Sequence, residues 1–116
     1  MLTVEDVFLS DIGYRHTEIE VVSGFLVVSR HLIYLCPSAN VREKAILVVA
    51  PGLLDKWLEE IPPYAGTMVA FSGEATITGN IAKSGLAPCP YAFYRVSEVK
   101  FRNEHGMEAR YAPSAS

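Results

Sequence analysis

From Thr17 the chain alternates, Ile19 and Val21 against Glu18 and Glu20, as a strand with one wet face requires. At Gly24 the pattern changes, and both faces are apolar through Val28. A short connection, Ser29-Arg30-His31, predicts a turn into a second strand over 32–36, stopped by Pro37. A polar loop from Ser38 to Lys44 leads to a third strand over 45–50, closed by Pro51 and Gly52. The period then switches: Leu53, Leu54, Trp57, Leu58 and Ile61 recur at helical spacing against Asp55, Lys56, Glu59 and Glu60, and Pro62-Pro63 ends the helix. Alternation returns around Gly79, where Ala75, Ile77, Gly79 and Ile81 share a face opposite Thr76, Thr78 and Asn80. Residues 83–90, rich in Gly and Pro, read as a loop. Strands over 91–102 and 107–111 follow, joined by the hairpin signal Asn103-Glu104-His105-Gly106. Ahead of all this, residues 3–10 read as a short helix with Thr3 as cap and Val4, Val7 and Phe8 on one face, broken by Asp11-Ile12-Gly13.

The runs centred on Gly24 and Gly79 are β-favouring segments with a glycine where a strand bends or another backbone approaches. Three strands, a helix, then two or three strands resembles the oligonucleotide/oligosaccharide-binding (OB) fold over residues 17–111. That resemblance implies a mainly β protein: a small OB-like barrel of order β1-β2-β3-α-β4-β5, with a C-terminal hairpin and a short N-terminal helix. An open antiparallel sheet with one helix across it is the alternative. The 116 residues form a single domain, with 1–13 as a helical arm and 112–116 as a flexible tail.

Ten basic and thirteen acidic residues give a formal charge of −3, so no global positive field draws the chain to nucleic acid or to an anionic membrane. The acidic start and the lack of a long apolar run place it in the cytoplasm, with no membrane partner. In that compartment Cys36 and Cys89 read as two small buried thiols rather than a disulfide.

Catalytic chemistry finds no assembly. Cys36 and His31 lie five residues apart on one strand, about 17 Å at strand rise, too far for a thiolate–imidazole pair. His16 and His105 sit at chain turns, Glu18 and Glu20 mark a wet face, and no His or Cys spacing fits a metal. The expectation is a non-enzymatic chain without cofactor or metal.

The OB resemblance also implies a ligand face on strands two and three. Here those strands carry no Lys or Arg, and Tyr34 is their only aromatic. Both faces of the pair are apolar, so the outer face needs a cover: the N-terminal helix, a second copy or another protein. The expected function is a non-catalytic binding module engaging a protein partner or itself, in the manner of an immunity, antitoxin or adaptor protein. Candidate contacts are Arg30, His31, Tyr34, Lys83, Leu86 and Tyr91. The alternative is a single-stranded nucleic-acid binder using Tyr94, Arg95, Lys100 and Arg102, where basic and aromatic residues interleave.

Overall fold

The computed structural model describes residues 2–10, 19–41, 44–63, 69–86 and 89–113. Its elements are β1 (Leu2–Thr3), α1 (Val4–Ser10), β2 (Ile19–Ser29), β3 (Ile33–Cys36), β4 (Ile46–Val48), α2 (Leu53–Glu60), β5 (Val69–Leu86), β6 (Cys89–Asn103) and β7 (Glu108–Tyr111). The expected break at 11–13, His16, Gly66 and the end of the tail lie outside the described residues.

Five strands close into a barrel in the cyclic order β2-β3-β4-β6-β5, with β5 returning to β2. Four of the five contacts are antiparallel. The fifth, β4 with β6, is parallel, pairing Ile46 with Tyr91 and Val48 with Phe93. The helix α2 falls between the third and fourth barrel strands, so the architecture is mainly β and compatible with an OB-like barrel. The open-sheet alternative is excluded by the β2–β5 ladder, which runs from Ile19–Asn80 to Ser29–Val69.

Gly24 shows why the pattern changes there. A Cβ at this inward position would stand 2.6 Å from the Cys36 carbonyl oxygen and 2.9 Å from Val4 Cγ2, so the approach of β3 and α1 to β2 depends on its absence. On either side of it Val22, Leu26 and Val28 point into the core with Leu35, Ile46, Ile77 and Phe93.

Two helices complete that core. In α1, Thr3 and Asp6 form a reciprocal cap: the Thr3 N–H donates to Asp6 Oδ2 (2.9 Å) and the Asp6 N–H to Thr3 Oγ1 (3.2 Å). Val4 and Val7 are fully buried in the main core and Phe8 meets the Tyr91 ring edge-on at 5.0 Å, whereas Leu9 is exposed. Thus α1 packs over Gly24 and Tyr91 rather than across the outer face of β3 and β4. In α2, buried Trp57 stacks on Phe101 (4.8 Å between centroids) and meets Phe71 edge-on. Its Nε1–H donates to the Arg110 carbonyl, and Tyr111 Oη–H donates to that of Pro51, tying α2 to β7.

The expected loop over 83–90 is instead the end of a long hairpin. Lys83 pairs with Tyr91 and Leu86 with Cys89, across an irregularity between Lys83 and Leu86, so β5 continues through Gly85 and β6 runs through Pro90; residues 87–88 lie outside the described residues. The 103–106 turn is as expected: Gly106 takes φ +81°, and Asn103 Oδ1 accepts from the His105 and Met107 N–H groups. Neither β1, parallel to β2 at Val22 and Ser23, nor the register of β7 was legible in the alternation. Among the described residues no helix is long and apolar enough to cross a membrane.

Candidate interaction surfaces

The barrel separates the candidate partner contacts. Arg30 and His31 are exposed at the β2–β3 turn, where the Ser29 hydroxyl accepts from the His31 and Leu32 N–H groups and donates to the Leu32 carbonyl. Lys83 and Leu86 belong to the β5–β6 hairpin end, which by register extends past the opposite end of β3 and β4. Tyr34 lies between, on the outer face. Tyr91 is a correction: its ring is 8 % exposed and belongs to the main core beside Phe8, so it offers no surface. Inward alternation along β6 placed it there.

Around Tyr34 the outward positions form a grid. Register sets Tyr34 beside Leu47 and Leu47 beside Ala92. One step along each strand toward the β2–β3 turn come Leu32, Val49 and Tyr94, where the Val49 N–H bonds the Phe93 carbonyl and continues the ladder. One step the other way come Cys36, Ala45 and Pro90. All nine are apolar or aromatic, and none is charged. Cys36 and Ala45 are buried with Val27 and Cys89 in a cluster separate from the main core, with Phe25, Tyr34, Leu47 and Val69 packed against it. Exposure rises toward the turn: Leu32 is 52 %, Val49 44 % and Tyr94 42 % accessible. Sequence reading missed Leu32 and Val49 as surface groups, since both sit in runs apolar on either side.

A second surface lies on the outer face of β2, β5, β6 and β7, walled by Pro37, Ser38 and Ala39: a groove of about 970 Å³. The ladders put its floor in register. One row reads Phe25, Glu74, Arg102, Glu108; the next reads Ser23, Thr76, Lys100, Arg110. Arg102 donates to Glu108 at 2.6 Å, a hydrogen bond and charge pair that hold its guanidinium above its ordinary value. Arg110 pairs with Glu98, whose other oxygen lies 3.9 Å from Lys100 Nζ.

This geometry divides the alternative nucleic-acid set. Two register shifts in β6 against β5, near Tyr94 and Ser97, turn Tyr94 toward the apolar grid and leave Arg95 exposed. Lys100 and Arg102 lie in the groove among carboxylates. Among the described residues no group of three or more His, Cys, Asp or Glu side chains is placed to hold a metal ion. Comparison of the chain with family models, curated proteins and solved structures found no match.

Proposed function

We propose that the chain is a non-catalytic binding module whose outer β3–β4–β6 face engages a protein, either a partner or a second copy. The observation that carries this reading is the uncharged grid, with Leu32, Val49 and Tyr94 in one accessible row. Burying a Leu or Val side chain contributes about 1.5–3 kcal/mol, so this row favours a dry protein contact. Monomers rarely leave such contiguous apolar surface open, and α1 is committed elsewhere. A nucleic-acid strand needs cations along its phosphates, and the grid offers none. The OB-like order supports the same reading, because on such barrels this face is the one left for ligands.

Sedimentation velocity over a range of concentrations, alongside affinity capture from the source cell, tests the proposal. Wild-type protein is expected to dimerise or to retain a partner, and Val49→Glu to abolish the assembly while leaving the far-UV spectrum unchanged. A monomer at every concentration, with identical captures for wild type and Val49→Glu, would refute it.

A further inference from the structure

The groove row Ser23-Thr76-Lys100-Arg110 is unlike its neighbour. Reading from β2 to β7 it holds two hydroxyls and two cations, with no carboxylate in the row itself. Lys100 and Arg110 face each other directly across paired strands, an arrangement of like charges that disfavours the sheet unless an anion offsets it. A single carboxylate, Glu98, contacts both, so the row keeps one positive charge in excess. In the adjacent row Arg102 stands between Glu74 and Glu108, leaving one negative charge in excess.

We propose that this row is a binding site for a small organic phosphate, its phosphate group held by Lys100 and Arg110 and its apolar body directed toward Phe25, Pro37 and Ala39. The row spans roughly 14 Å, three strand spacings, and the groove volume of about 970 Å³ is that of a small-molecule site. The cations supply charge-assisted donors, with Thr76 and Ser23 presenting hydroxyls along the same line. The flanking carboxylates favour a compact anion over a nucleic-acid strand, whose continuous phosphates would run against Glu74 or Glu108. The row of hydroxyls and cations shares no residue with the apolar grid, Phe25 borders both, and the site does not depend on the grid.

The test is an amide chemical-shift titration of the full chain at low salt with phenyl phosphate, inorganic phosphate, benzyl alcohol and a single-stranded oligonucleotide. Phenyl phosphate is expected to saturate and to shift residues 23, 25, 76, 100 and 110. Inorganic phosphate is expected to bind more weakly at Lys100 and Arg110, and benzyl alcohol not to saturate. Lys100→Gln should weaken phenyl phosphate binding about fivefold or more, and Arg102→Gln, in the neighbouring row, less than about twofold. Glu98→Gln should tighten it, because the competing carboxylate is gone. Shifts spread over all surface cations, equal losses in Lys100→Gln and Arg102→Gln, or an oligonucleotide binding more tightly than phenyl phosphate would each overturn the proposal.

Discussion

Gly79→Ala tests the barrel at a tight approach of β5 to β6. A Cβ at this position would lie 2.2 Å from the Arg95 carbonyl oxygen and 3.0 Å from Val96 Cα. Carbon–oxygen contacts ordinarily fall near ~3.3–3.6 Å, so the methyl group requires about 1 Å of movement. Both obstructing atoms are backbone of the paired strand, and no side-chain rotation relieves them. The β5–β6 ladder, already irregular between Thr78 and Gly79, must open there. Overpacking of this kind costs about 1–3 kcal/mol, and one broken ladder bond adds about 0.5–1.5 kcal/mol. Restricting the unfolded chain returns about 0.4–1 kcal/mol, for a net loss of about 0.5–4 kcal/mol, centred on ~2 kcal/mol. Gly106→Ala is the control: nothing lies within 4 Å of its Cβ position, and the positive-φ penalty of about 1–2 kcal/mol less the same unfolded-state return leaves about 0–1.6 kcal/mol. Urea titration followed by Trp57 emission measures both, since that indole is buried and stacked on Phe101 in the folded state. A Gly79→Ala loss no larger than that of Gly106→Ala would refute the steric account.

Two further outcomes concern titratable groups. Burial pushes the Tyr111 phenol above its ordinary value. The folded state therefore holds that proton more tightly than the unfolded one. Its stability contribution is full below about pH 10 and is lost as pH rises through the raised value. Tyr111→Phe, which removes the bond to Pro51, should lose about 1 kcal/mol at neutral pH and flatten the alkaline decline; urea midpoints across the alkaline range check this, and an unchanged slope counts against it. Cys36 and Cys89 are buried and not joined by a disulfide, and desolvation raises the Cys89 thiol. Both should label with a disulfide reagent at mildly alkaline pH only as fast as the protein opens, and rapid labelling of the native protein would contradict that burial.

The sequence reveals those elements whose cues are local. The period change at Leu53, the alternation around Ile77 and the Asn103–Gly106 turn each depend on neighbours within a few residues. What escaped it depends on partners far along the chain. Tyr91 follows the Gly- and Pro-rich residues 83–90 but faces inward because alternation along β6 keeps it in step with Phe93 in the core. Val4 and Val7 gave α1 an apolar face without saying which surface it covers. Ser23 and Arg110 share a row only through three successive ladders across 87 residues of sequence, so no spacing rule could have joined them. The shifts at Tyr94 and Ser97 separate Arg95 from Lys100, and nothing in the composition of β6 announces a bulge.

The two short outer strands have a further consequence. On the far side from β5, β3 reaches β2 only from Phe25 onward, and β1 takes up the same edge at Val22 and Ser23. Likewise β4 reaches β6 only at Tyr91–Phe93, and β7 takes up the edge from Val99 to Arg102. The overhangs left by barrel closure are thus hydrogen-bonded within the chain at Val22–Ser23 of β2 and Val99–Arg102 of β6, by covering strands two and four residues long. Strands that short make poor templates for another sheet. The two covering strands thus guard these stretches of β2 and β6 against edge-to-edge pairing with another sheet.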